Sequence, residues 1–140
     1  VTSSLPEDYV PSSGERMSLY REMNTLRTQQ QLDDFRARLI DRFGPVPDEG
    51  EELMRVMQIK WAAMRLGVET VIIKNGRMIL YFTTEQAYYQ CKAFEKILHF
   101  LSTRGKYSRL RDGDRHSLLV QHVSSMQSAL YVLGIIEGKA

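Results

Sequence analysis

The sequence predicts an α+β domain, with an N-terminal helical half followed by a β-β-α-β-β-α half in which a small antiparallel sheet is covered by helices. Three observations carry that prediction. Up to Leu66, apolar residues recur at spacings of three and four, the period of a helix face. After Gly67 the period falls to two in "ETVIIKNGRMILYF", around Asn75-Gly76, the strongest short hairpin signal. "KYSRLRDGDRHSLLVQ" then repeats a strand-turn-strand form around Asp112-Gly113-Asp114, between two further helical stretches.

Residues 1–11 read as an extended entry segment, because Pro6 and Pro11 bias the residues before them away from helix. A single α+β domain over residues 12–138 follows. Ser12 and Glu15 have capping-box spacing and open a helix of about three turns through Met17, Leu19, Tyr20, Met23 and Leu26. Thr28 and Gln31 repeat the box, and Leu32, Phe35, Leu39 and Phe43 form the apolar stripe of the next helix. Gly44 and Pro45 must end it, since glycine accepts the left-handed conformation and proline prevents continuation. Asp48 and Glu51 make a third box, opening a helix to Leu66. Leu53, Val56, Met57, Trp61 and Met64 line one of its faces, and Ile59, Ala62, Ala63 and Leu66 widen the apolar arc enough for burial on more than one side.

A two-residue type I′ turn at Asn75-Gly76 fixes the first hairpin's register. Lys74 faces Arg77, Ile73 faces Met78, Ile72 faces Ile79, and Val71 faces Leu80. Thr83 and Gln86 are expected to cap the next helix, with Ala87, Cys91, Phe94, Leu98 and Leu101 on its apolar side and Gly105 at its end. Ser124 and Gln127 are expected to cap the last, through Met126, Leu130, Leu133 and Ile136.

Composition narrows the function classes. The 140 residues are 43% hydrophobic and 26% charged, ordinary for a globular chain, and the formal charge of +2 is too small to announce nucleic acid or membrane. Cys91 is the only cysteine, so neither a disulfide framework nor a thiolate metal cluster is expected, and a reducing cytoplasm is the expected compartment. No apolar run approaches the ~20 residues a bilayer crossing needs. The N-terminus has no signal-peptide pattern and no initiator Met, and reads as a cut end of one module in a longer protein.

Chemistry-bearing motifs are missing. There is no G-x-x-x-x-G-K-[ST] loop and no G-x-G-x-x-G after a strand, so no cofactor is expected. His99, His116 and His122 form no pair with metal-ligand spacing. Glu15, Asp48, Glu49, Glu51, Glu52 and Glu85 cluster at helix starts, where the helix dipole accounts for them. Cys91 falls on an apolar stripe and reads as a small packed hydrophobe. No catalytic constellation results.

Two surface features remain, each with two readings. Arg104, Lys106, Arg109, Arg111 and Arg115 crowd together around Tyr107, a pattern that can follow a phosphate backbone. It equally suits a charged hairpin edge that discourages strand pairing, and Asp112 and Asp114 dilute it. Asp34, Arg38 and Asp41 form a polar stripe on the side of their helix away from the apolar one, either a solvated face or a docking face. Phe43, Gly44, Pro45, Val46 and Pro47 after it can fix an angle between two helices and do little else.

"LPEDYVP", "ERMSLYREM" and "LIDRFGPVPDEGEELMRVMQIKWAAMRLGVETVIIKNGRMILYF" resemble the C-terminal domain of bacterial transcription-repair coupling factors, the Mfd or TRCF family. The likeness is close from Leu5 to Phe82 and continues in pattern only beyond. It implies a non-catalytic, autoinhibitory interaction module of an ATP-dependent DNA translocase that releases stalled RNA polymerase and recruits nucleotide-excision repair. In that family the domain packs on the N-terminal UvrB-like module of the same chain and masks its UvrA-binding surface. The parent protein would meet UvrA and RNA polymerase, while direct DNA contact by this domain and any membrane contact are not expected. Acidic positions on the helix before the D-R-F-G-P-x-P joint look towards basic residues of the partner module. Asp41 matches one of them, and Arg38 departs from the family, which can carry an acid there. The alternative is a nucleic-acid-binding module using the basic hairpin.

Overall fold

The computed structural model describes residues 4–139. Among them are five α-helices, α1 (Ser13–Thr25), α2 (Gln29–Phe43), α3 (Asp48–Leu66), α4 (Lys92–Arg104) and α5 (Met126–Ile136). Four strands, β1 (Val68–Lys74), β2 (Arg77–Phe82), β3 (Ser108–Arg111) and β4 (Ser117–Gln121), form one antiparallel sheet in the order β1-β2-β4-β3. This is the expected α+β class. The contacts fall into two compact units that part within α3, one up to Gln58 and one from Ile59.

In the first unit the entry segment is not continuously extended. The Pro6 carbonyl accepts from the backbone N–H groups of Tyr9 (3.1 Å) and Val10 (3.0 Å), which folds residues 6–10 into a turn and buries Leu5 and Val10. Ser12 caps α1 by accepting from Glu15 N at 3.2 Å, and Thr28 with Gln31 forms the complete reciprocal box on α2. Leu32, Phe35 and Leu39 are buried as the stripe predicts, together with Met23, Leu26, Met54 and Met57.

The box expected at Asp48 and Glu51 does not form. Helix α3 already includes Asp48, and the Pro47 carbonyl takes the first bonds, from Gly50 N (2.9 Å) and Glu51 N (3.1 Å). The Glu51 carboxylate turns to Arg36 on α2 instead. A charged partner outcompetes the weak bond to a helix-start amide.

In the second unit the first hairpin has the predicted register at all four expected pairs. Asn75 (φ 56°) and Gly76 (φ 74°) both take the positive φ that a type I′ turn demands. Met78, Leu80 and Phe82 from β2 and Leu118 and Val120 from β4 enter a core shared with Ala62 and Leu66 of α3, Phe94 and Ile97 of α4, and Ala129 and Leu133 of α5.

The helix expected from Thr83 is broken. Gln86–Gln90 forms a 3-10 turn, and α4 begins only after Cys91, whose extended backbone (φ −91°, ψ 164°) makes it the N-cap. Thr83 Oγ1 accepts from Glu85 N at 3.3 Å and caps no helix. The break rephases the apolar side, so that Tyr88, Phe94, Ile97 and Phe100 are buried while Ala87 and Leu98 are exposed. Cys91 is half-buried at the edge of the core. Tyr88 supplies the cause: its hydroxyl donates to Leu66 O at 2.6 Å in a buried setting, which a continuous helix would not deliver there. Burial holds the Tyr88 phenol far above its ordinary value.

The second hairpin forms, with a longer loop than Asp112-Gly113-Asp114 alone, since pairing ends at Arg111↔Ser117. Helix α5 is capped one residue later than expected, by a Ser125–Ser128 box. Met64, expected on the apolar face of α3, is exposed.

Candidate functional site

The polar stripe on α2 is exposed, and its residues differ in how far they are committed. Asp34, Arg38 and Asp41 are all exposed. Asp34 accepts from Gln30 Nε2 at 3.0 Å, one helical turn away. Arg38 forms an ion pair with Glu22 of α1 and lays its guanidinium 5.7 Å from the Phe35 ring centre. Arg42, a residue not singled out by its sequence position, reaches Glu15 of α1 at 2.6 Å and covers the Phe43 ring at 5.0 Å. Asp41 differs from them. Its carboxylate has no hydrogen bond or ion pair among the described residues.

Asp41 stands on the rim of an open groove of about 520 Å³ between α1 and α2, whose floor is Leu19, Phe35, Leu39 and Phe43. The two arginines that could neutralise Asp41 from its own helix are held by acids of α1. The groove therefore joins a hydrophobic floor to one unsatisfied carboxylate, a combination suited to a long basic side chain with an apolar stem.

The joint that follows holds this face in place. Gly44 sits at φ 87° and ψ −170°, beyond the reach of an L side chain, and its N–H still donates to Ile40 O at 2.9 Å. The Tyr9 hydroxyl donates to Gly44 O (2.8 Å) and lies 3.3 Å from Leu39 O, and its ring packs on Phe43 with centroids 5.7 Å apart. Burial, and then the nearby Glu51 carboxylate, hold the Tyr9 phenol above its ordinary value. On the far side of Pro45 and Pro47, Gly50 lets α3 approach the joint. A Cβ there would lie 2.6 Å from Val46 Cγ1 and 3.4 Å from Leu5 Cδ2. Tyr9 is the joint residue that sequence spacing could not find, because its partners lie 30 and 35 residues away.

The basic run spreads over three elements, although Arg111 and Arg115 line one open pocket. Arg104 closes the last turn of α4, Lys106 covers the Tyr107 ring at 5.4 Å, and Arg109 and Arg111 lie on β3. Arg115, in the loop, pairs with Glu69 at 2.9 Å and covers the Tyr81 ring at 5.2 Å. No group of three or more His, Cys, Asp or Glu residues among the described ones could hold a metal ion, and no described helix is long and apolar enough to cross a membrane.

A small α+β domain presenting a braced, open helix pair is the class that this geometry defines. The TRCF domain model matches residues 1–92. The chain belongs to the TRCF domain family. It is 33% identical over 66 residues to the transcription-repair-coupling factor of Escherichia coli (strain K12), covering 47% of this chain and 6% of that protein. It is 26% identical over 136 residues to the factor of Staphylococcus haemolyticus (strain JCSC1435), covering 96% of this chain and 12% of that protein. The chain thus spans about a tenth of the length of these relatives. The crystal structure of a C-terminal domain of a transcription-repair coupling factor shares the fold, with a TM-score of 0.79 and 17% identity over 99% of this chain and 86% of that one.

Proposed function

We propose that this chain is a non-catalytic docking module that packs, through α2, on the N-terminal UvrB-like module of its own parent protein and covers the surface that recruits UvrA. The parent is read as an ATP-dependent translocase on duplex DNA that releases stalled RNA polymerase and hands the lesion to nucleotide-excision repair. Family membership supports the parent, and the resemblance in the D-R-F-G-P-x-P segment supports the role of the helix. The observation that carries the docking reading is Asp41, an exposed carboxylate without a partner among the described residues, above an apolar groove.

The departure at Arg38 fits this reading. An arginine in place of an acid would repel a basic partner, but the Glu22 ion pair offsets its charge locally. Docking then relies on Asp41 more than on a row of acids. A braced joint favours such a role, because a surface that is already ordered loses less entropy when it docks.

Calorimetric titration of this chain into the isolated N-terminal module tests the reading. Linkage in one protein supplies an effective concentration of about millimolar, so an affinity weaker than micromolar suffices for closure. Binding should weaken as salt rises and disappear in Asp41→Arg. Binding that is indifferent to that substitution would place the interface elsewhere.

A further inference from the structure

The outer face of the sheet is a second surface that docking through α2 leaves without a role. Strands β2 and β4 turn Met78, Leu80, Leu118 and Val120 into the core. By strand alternation their neighbours stand on the opposite face. Register then orders that face in levels. At one end Lys74 lies beside Arg77, and Arg77 beside Gln121, whose N–H donates to Tyr107 O at 2.9 Å. One level on, Ile72, Ile79, Leu119 and Arg109 follow one another across the four strands.

Lys74, Arg77 and Arg109 are exposed, and none has an ion pair among the described residues. The acids keep to the other end. Glu69 is held by Arg115 at 2.9 Å, and Asp112 lies 3.0 Å from His116 Nδ1 in the β3–β4 loop with Asp114 nearby. The end with Lys74, Arg77 and Arg109 therefore carries uncompensated positive charge. Arg77 and Arg109 are two strand spacings apart across the sheet and two residues offset along it, roughly 12 Å in all.

We propose that this end of the sheet binds nucleic acid through its phosphates, without reading sequence. The shape of the patch favours nucleic acid over an acidic protein. A protein interface gathers its strength from an apolar centre, and here Leu119 is only 1% exposed while Ile72 is 39% exposed. Spaced cations along one end of the sheet instead match a chain of repeating charges. Tyr107, 53% exposed and held edge-on against His122 with ring centres 4.6 Å apart, offers the ring face opposite Lys106 for a base to stack on. This departs from the expectation that the domain makes no direct DNA contact, because the fold joins Arg109 to two cations of the other hairpin.

Fluorescence anisotropy with a labelled short duplex and a single strand of one mixed sequence tests the proposal on this chain. Three neutralised phosphates should make log K fall against log salt with a slope of about −3 for duplex and about −2 for single strand. The double substitution Arg77→Gln with Arg109→Gln should weaken binding at least about tenfold and flatten the duplex slope by about 2, with thermal unfolding unchanged. The control Lys92→Gln with Arg104→Gln changes net charge equally but lies on α4, and should cost less than about twofold. Loss on Tyr107→Ala confined to the single strand identifies stacking on unpaired bases, and equal affinity before and after it on both forms shows that phosphate contacts alone hold the nucleic acid. The proposal is overturned if neither form binds with salt dependence, or if the two double variants weaken binding equally.

Discussion

Gly44 shows how one residue controls the geometry of the proposed docking face. A Cβ at this position would meet nothing within 4 Å, so any cost of a side chain comes from the backbone alone. At φ 87°, a β-branched residue is strained, and Gly44→Val should destabilise the chain by more than about 1 kcal/mol. Chemical denaturation reads this directly, and an unchanged midpoint would mean that α2 can end in another way. The requirement for glycine was legible, because Gly-Pro after an apolar stripe has few other readings. The brace was not. Tyr9 sits in a segment that looks merely extended, and only tertiary structure brings its hydroxyl to Gly44 O.

At the scale of elements, the same contrast between local and distant causes recurs. The β1–β2 register was legible pair by pair, since a two-residue type I′ turn permits only one. The start of α5 was legible to within one residue, because Ser124 and Ser125 carry the same local signal and the chain uses the second. The break at Cys91 was not legible, since it depends on the Tyr88 hydrogen bond to Leu66 O, 22 residues away. The ends of α3 and α5 are tied by another such pair, Arg65 Nε to Glu137 Oε2 at 2.7 Å. Burial alone would raise the Glu137 carboxyl, but hydrogen bonds and charge from Arg65, helped by Lys139 and Lys96, outweigh it and hold the group below its ordinary value. A carboxylate whose folded pKa is depressed stabilises the fold above its unfolded pKa, near 4.5, and that contribution is lost as pH falls through the folded value. Thermal stability should therefore drop in acid, and Glu137→Gln should lower it at pH 7 while making the acid-induced drop shallower. An identical acid profile in wild type and variant would contradict the role of the pair.

For the whole molecule, the proposed docking face and the basic sheet face differ in how far a linear reading reaches. The α2 stripe was visible as a polar side of a helix, but the ion pairs that occupy Arg38 and Arg42 and leave Asp41 alone depend on α1 packing beside α2. The sheet face was not visible, because its cations come from two hairpins, and the basic run in the sequence disperses over α4, β3 and a loop. Closure through Asp41 is the central claim, and the full-length parent protein carrying Asp41→Arg tests it most directly. Reversal of one charge in a docked pair replaces attraction by repulsion, while an exposed helix position tolerates the change. The measurement is the affinity of that variant for UvrA against that of the wild type. If the open state is about 1% populated at rest, full release tightens the apparent affinity by up to about a hundredfold. The account predicts a clear gain in affinity with unfolding unchanged, and a well-folded variant that binds UvrA no more tightly than the wild type would contradict it.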